Sequence, residues 1–369
     1  MRWLAALAVM LGAARAEAYP HFQLSSGTVA CNQCHFAPAG GGLLTGWGRD
    51  ESADTVSRGG DGRFLHGWVE LPRTLQLGGD FRLAGLVNDV GASDGAELAA
   101  FPMQVQLNAR VGGRGAWSLV ASVALRGRVR GSDEQPLSSF FVSPEHYVYW
   151  RPRSKGPYAR LGRFAIPYGL RLVDHTTYVR RWLGFGLFDE PYALSGGVVR
   201  KDWELHATAF VSDPLRGAAR EEFGGALLYE RHGPRLAWGL SARAGVADSD
   251  TRLTAGPFMR WWLPGAKLML MAEVGAVRQL FNVVDGADRW QLASYAGPVW
   301  VPTRGVYAGA AYELFDEELE LGDTERHAGS LWVAYHPRAH FEVMLSGRSQ
   351  LVGADDAAHT ALLQVHYYP

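Results

Sequence analysis

From residue 73 onward the chain alternates between apolar and polar side chains. In TLQLGGDFRLAGLV, residues 74–87, Leu75, Leu77, Phe81, Leu83 and Val87 share one parity, while Gln76, Asp80 and Arg82 share the other. In FPMQVQLNARV, residues 101–111, Phe101, Met103, Val105, Leu107, Ala109 and Val111 oppose Gln104, Gln106, Asn108 and Arg110. A period of two is that of a strand with one greasy and one polar face. It recurs, with lapses, near 116–129, 145–151, 157–163, 196–200, 202–212, 223–232, 235–247, 253–263, 266–279, 289–297, 304–314, 326–336, 339–349 and 359–368. With the first two these make about sixteen segments, many near the length of a tilted membrane strand.

The connections separate the all-β architectures. If the first strand runs outward, the outer connections are 88–99, 130–144, 164–195, 213–222, 248–252, 280–288, 315–325 and 350–358. Those between them are brief, among them GGRG at 112–115, HGPR at 232–235, PG at 264–265 and HPR at 336–338; the one before Arg304 is poorly marked. Long and short loops in turn are the mark of an outer-membrane barrel, and an even strand number puts both termini in the periplasm. A β-sandwich or propeller aims its greasy faces into a core and has no reason to alternate loop lengths. Aromatic residues gather at segment ends, at Tyr147, Tyr149 and Trp150, at Trp261 and Trp262, and at Tyr367 and Tyr368, as interface girdles do. The expected fold is therefore all-β, a transmembrane antiparallel outer-membrane β-barrel over 73–369.

Composition agrees. Glycine (45), tryptophan (13) and tyrosine (14) are abundant, and no run of 18 apolar residues follows the opening segment. The net charge of −1 gives no general attraction to nucleic acid. The opening, MRWLAALAVMLGAARAEA, reads as a signal peptide over 1–18: an early Arg, an apolar run from Trp3 to Leu11, and small residues before a cleavage point after Ala16 or Ala18. The last segment, TALLQVHYYP, resembles the C-terminal assembly signal of bacterial outer-membrane proteins, with Pro369 where an aromatic usually stands.

Between signal and barrel, residues 19–72 are loop-like, with a glycine run at 40–42 and no convincing helical period. They hold the chain's two cysteines, in CNQCH at 31–35. Covalent haem attachment needs two thiols at this spacing and a histidine directly after them as iron ligand. The expected cofactor is one covalent haem c on Cys31 and Cys34, with His35 as axial ligand. No methionine lies between His35 and Met103, so the local candidates for a second ligand are His66 and, behind it, His21. A lumen-facing His146 or His206, or an open sixth position, are the other options. Three further readings of the cysteines stand beside haem: a zinc site drawing on His21, His35 or His66, a thioredoxin-like pair, and a short disulfide. A segment this small is a poor haem wrapper by itself, so the barrel is expected to shield it.

The stretch VACNQCHFAPAGGGLLTGWGR, 29–49, resembles the fused outer-membrane cytochrome–porins through its haem motif, the Pro after it, and the L-T-x-x-G-R tail of Leu44, Thr45, Gly48 and Arg49. That resemblance implies one c-type haem ahead of a porin of about this strand number. It also implies electron transfer across the outer membrane of a Gram-negative bacterium, with oxidation of extracellular ferrous iron in the best-known members. The implied partners are outer-membrane lipid, periplasmic c-type cytochromes or other carriers, and extracellular iron or small anions. A lesser resemblance, YARLGRFAIPYGLR at 158–171, is to phosphate-selective porins. It precedes a long loop with Arg180, Arg181, Asp189 and Glu190 that is free to fold inward. Arg82, Arg110, Arg126 and Arg128 fall on the lumen side, and among the outer loops DEELELGD at 316–323 is the carboxylate cluster suited to iron.

The expected function is that of an electron-transfer protein rather than a turnover enzyme. The competing readings are a passive porin with an N-terminal plug and structural cysteines, and a periplasmic metal-binding or sensor β-protein.

Overall fold

The computed structural model describes residues 20–38, 40–89, 95–113, 115–125, 140–186, 189–214, 221–282, 288–352 and 357–369. The signal segment 1–18, Arg126 and Arg128 lie outside the described residues. The strands are β1 (Leu75–Asp89), β2 (Glu97–Val111), β3 (Trp117–Leu125), β4 (Phe141–Val142), β5 (His146–Trp150), β6 (Gly156–Arg163), β7 (Tyr192–Val199), β8 (Trp203–Val211) and β9 (Glu222–His232). They continue as β10 (Leu236–Ala247), β11 (Asp250–Leu263), β12 (Leu268–Phe281), β13 (Arg289–Thr303), β14 (Val306–Asp316), β15 (Glu325–Tyr335), β16 (Phe341–Val352) and β17 (Ala358–Tyr367).

Apart from the short β4, each strand pairs antiparallel with its neighbours around the ring, and β17 closes back on β1 with Phe81 opposite Tyr367 and Arg82 opposite His366. The pieces β4 and β5 both lie along β3, so they fill one position and the ring has 16. Closure leaves no edge, which is what permits a sheet to sit in lipid.

The alternation sorts as a membrane requires. Leu107, Leu119, Leu161, Leu194, Leu227, Leu240, Leu331, Leu345 and Leu363 are exposed on the outer surface. Their lumen-facing neighbours Gln106, Asn108, Ser118, Arg160, Ser195, Ser241 and Gln364 are buried. Trp117 stands 6.5 Å from Trp150, and Phe341 4.7 Å from Tyr367, all at the short-turn end. That end faces the periplasm in such barrels.

Some boundaries differ from expectation for visible reasons. β2 begins at Glu97 rather than 101, because Ala99 and Ala100 blur the alternation while the ladder to β1 continues to Asn88–Glu97. β13 runs on to Thr303 through Pro298 and Pro302, and its register to β14 slips between Trp300 and Thr303. A proline supplies no ladder donor and is absorbed at such an irregularity. The turn there is therefore Arg304–Gly305, and β14 starts at Val306.

Unlike a lumen that is polar throughout, this one holds an apolar cluster. Loop 164–191 folds into the barrel, where Leu170, Leu172, Val179 and Leu183 pack on Met269, Met271 and Val277 of β12, with Tyr295 and Phe315 beyond. Trp182 stacks on Phe315 at 4.7 Å. The tip is pinned to the far wall: Gly169 N donates to Ser241 Oγ (2.9 Å) and Leu170 N to Glu273 Oε2 (2.8 Å). Gly169 has φ 55°, and a Cβ there would lie 2.0 Å from Glu273, so glycine is needed for both backbone and space.

Candidate functional site

Residues 20–72 plug the short-turn end. Arg304, on the turn between β13 and β14, donates to the carbonyls of Ser57 and Ala53, both at 2.6 Å, and Tyr307 Oη donates to Val56 O (3.1 Å). Backbone bonds Arg58 N to His336 O (3.0 Å) and Ala339 N to Gly59 O (2.8 Å) tie the segment to the β15–β16 turn. His21 packs between Trp332 and Tyr307, with ring centres at 5.2 and 5.7 Å. Burial, and then His336, depress its pKa to about 3, so it is neutral at pH 7.

The segment is more helical than its sequence suggests. Cys31–Cys34 forms one turn, and Gly46–Glu51 forms a helix continued as a wider turn over Ser52–Val56. Two glycines in GWGR depress helix propensity, so periodicity alone does not reveal it. The visible signal is Thr45, whose Oγ1 accepts from Gly48 N (3.1 Å) as an N-cap and donates to Gln33 O (2.5 Å). Arg49 reaches across to the carbonyl of Leu77 on β1. Thus Thr45 and Arg49 of the L-T-x-x-G-R tail clamp the cysteine turn to the helix and the helix to the wall.

Gly48 lies where the two short helical pieces touch. A Cβ there would stand 2.2 Å from Cys34 O and 2.8 Å from Cys34 Cα. Gly48→Ala is therefore expected to push the helix off the cysteine turn, costing about 1–3 kcal/mol of plug docking. Limited proteolysis at Arg58 and Arg63 checks this, and an alanine variant as protected as the parent would show that the contact is easily relaxed.

Residues Cys31 and Cys34, three apart on one turn, share a face. Both are free thiols, and Gln23 Nε2 donates to Cys31 Sγ at 3.2 Å. Burial, followed by Glu51 and Cys31, pushes the Cys34 thiol up to about 12. A thiol so held is not a reactive thiolate, and no βαβ unit surrounds it, so the thioredoxin-like reading finds no support. Among the described residues, the metal-ligand atoms that gather within 4.8 Å of one another belong to Glu204, Glu230 and His232, not to the cysteine pair with His21, His35 or His66.

Both cysteines and His35 line a cleft of about 940 Å³, continuous with solvent, between the plug and the barrel seam. Gly78, Gly79 and Asp80 of β1, with His366, Tyr368 and Pro369 at the end of the chain, supply the opposite side. The His35 ring is buried, which lowers its pKa to about 4 and leaves it neutral, and its Nδ1 has no hydrogen-bond partner. His66 is elsewhere. Its Nδ1 lies 3.3 Å from Asp61 O and its ring 5.2 Å from His340, and neither it nor His21 lines the cleft. Of the lumen histidines, His206 bonds Tyr158 Oη (2.7 Å) and His146 bonds Ser143 and Tyr192, and neither lines the cleft.

A second chamber of about 750 Å³ lies between the inward loop and the wall, lined by Arg171, Arg180, Arg243, Glu222 and Glu273 and reaching the plug at Gly40. Beneath it Arg171 joins plug, loop and wall. It donates to Pro38 O (3.0 Å) and to Glu204 Oε1 (3.1 Å), and pairs with Glu230, which Arg260 also contacts. Arg180 is turned onto the loop's own carbonyls at Leu172 (2.6 Å) and Phe185 (2.9 Å). Glu190 faces Arg163 at 3.8 Å, Arg181 covers Trp182 at 4.9 Å, and Asp189 borders the chamber. Arg110 covers Phe36 at 4.7 Å, and Arg82 is buried on the lumen face. In the acidic outer loop, Glu317 pairs with Arg289 (3.2 Å) and Arg326 (3.6 Å), and Asp316 accepts from Thr324 (2.8 Å). These carboxylates hold the loop together rather than converging on a vacant centre.

Solved structures of similar shape settle the architecture. The anion-selective porin of Comamonas acidovorans matches with TM-score 0.60 at 13% identity over 80% of this chain and 99% of that one. The fold is a porin-type outer-membrane barrel. OmpT of Vibrio cholerae matches this porin-type chain with TM-score 0.61 at 10% identity, covering 82% of it and 100% of OmpT. The outer-membrane channel DcaP of Acinetobacter baumannii gives 0.58 at 12% identity, over 80% and 97%. No protein-family model matches the chain, and no curated protein does. These matches cover about four-fifths of the chain, and its described strands run from Leu75 to Tyr367.

Proposed function

We propose that this barrel carries one covalent haem c in the cleft beneath its seam and passes single electrons between a donor or acceptor outside the cell and periplasmic carriers. The observation behind the reading is that Cys31, Cys34 and a neutral His35 with an unpartnered ring nitrogen open on one cleft. The cleft is lined on one side by the cysteine turn and on the other by the barrel wall. The residues fit the group: two thiols on one face for its vinyl carbons, an imidazole for its iron, and a glycine-lined wall that leaves room.

When bound, haem supplies one-electron exchange at iron. The protein lines the cleft with apolar Leu43, Leu44, Phe22 and Val56, holds His35 neutral by burial, and keeps the cleft at the end facing soluble carriers. An outside partner small enough to enter, such as ferrous iron, would come through the chamber, whose Glu222 and Glu273 offset its arginines.

A second reading, a passive solute channel with a fixed plug and structural cysteines, is favoured by the likeness to porins, one of them described as anion-selective. One experiment separates the two. The full chain is made in a host that matures cytochromes c, purified in detergent, and examined by pyridine haemochrome spectrum after acid-acetone extraction, beside Cys31→Ala and Cys34→Ala. Haem that survives extraction in the parent and is lost or altered in the variants is the expected result. A haem-free parent that conducts ions in planar bilayers would replace the electron-transfer reading with the channel.

A further inference from the structure

Resting on the haem reading above, we infer that His366, near the end of β17, is the second axial ligand, in place of the histidines close to the motif in sequence. His35 and His366 are the only imidazoles among the described residues lining the cleft, and no methionine lines it. His35 comes from the plug and His366 from the wall, so ligation through both would fasten one to the other.

The environment of His366 is that of a prepared metal ligand. Its Nε2 lies 3.2 Å from Asp80 Oδ1, while its Nδ1 is buried with no hydrogen-bond partner. Asp80 is placed there by register: Arg82 pairs with His366, Phe81 pairs with Tyr367, and Asp80 follows on the lumen face. A carboxylate accepting from one ring nitrogen puts the proton on that nitrogen and leaves the lone pair on the other. This is the carboxylate–histidine arrangement that orients metal-bound imidazoles and raises their basicity. Asp80 is itself held by Asn108 Nδ2 at 3.2 Å. An unsatisfied buried imidazole nitrogen is costly in a finished fold, and ligation removes that cost.

The experiment is a ligand swap on the full-length, haem-loaded protein in detergent, read by optical and electron paramagnetic resonance spectra of the ferric and ferrous states. The parent is expected to be six-coordinate and low-spin without a methionine–iron charge-transfer band. His366→Ala should turn high-spin, bind carbon monoxide at once when reduced, and return to low-spin on adding imidazole. His366→Met should remain low-spin, gain the methionine–iron band and shift to a higher potential, and it keeps the test open if the alanine variant does not fold. His66→Ala and His21→Ala should leave the parent spectrum unchanged. A haem-loaded His366→Ala with the parent's spectrum, or a His366→Met without the new band, overturns the assignment and leaves the cytochrome reading standing. A parent with no covalent haem overturns both.

Discussion

Replacing Arg171 with methionine is expected to destabilise the plugged barrel by about 3–5 kcal/mol, the cost of leaving a buried charge without its partner. The guanidinium is 2% exposed, and so deeply set that Glu204 and Glu230 have no water to turn to. With it gone, Glu230 keeps Arg260, but Glu204 is left with only the imidazoles of His206, 3.4 Å away, and His232, 4.0 Å away. Pro38 O loses its donor at the same time, so plug and inward loop both come loose from one substitution. Arg171 also sits at φ 60°, a left-handed backbone that its charge network holds in place. The unfolding of such barrels is often irreversible, so the measure is the temperature at which the compact band on an unheated gel disappears. Adding Glu204→Gln to the methionine variant should recover much of the loss, since the penalty comes from unpaired charge more than from a missing bond, while Glu230 stays paired with Arg260. An Arg171→Met protein with the parent's transition temperature would show that water reaches the cluster.

Acid is expected to release the plug. His21 and His340 are both neutral when docked, their pKa values lowered to about 3 and about 4, in each case first by burial. His336 adds to the effect on His21, and Arg49 and His66 add to that on His340. Above the free imidazole value of about 6.5 neither state binds a proton, and docking is at full strength. As pH falls below that value only the undocked rings take up protons, so docking weakens steadily and levels off beneath the docked values. Summed over both groups, the loss between pH 6.5 and 4 is on the order of several kcal/mol. An acid-active protease should cut between Gly59 and Gly67 at pH 4 and spare the segment at pH 7.5. His21→Phe, which cannot charge, should resist. Equal cutting at the two pH values would mean that these rings stay buried when the plug is attacked.

The barrel was legible because lipid and lumen act on alternate residues, so each strand carries its own evidence. The alternation of Gln104, Gln106 and Asn108 against Leu107 needs no partner strand to be read. The inward loop was half legible: its length was plain, but the pinning of Gly169 and Leu170 to Ser241 and Glu273 joins residues 72 and 103 positions apart. The cysteines and His35 were legible as a local motif. Asp80 and His366 were not associated, being 286 positions apart and brought together only by closure of the ring. One sign was present in TALLQVHYYP, where His366 shares parity with Gln364 and so faces the lumen. His66, close to the motif in sequence, is carried by its own turn toward His340 and Phe341.

The cleft straddles the β1–β17 seam, and this bears on the order in which the protein is made. Its barrel side draws on Gly78, Gly79 and Asp80 of the first strand and on His366 of the last, so that side exists only once the ring has shut. The part of residues 20–72 that faces that side therefore docks only after closure.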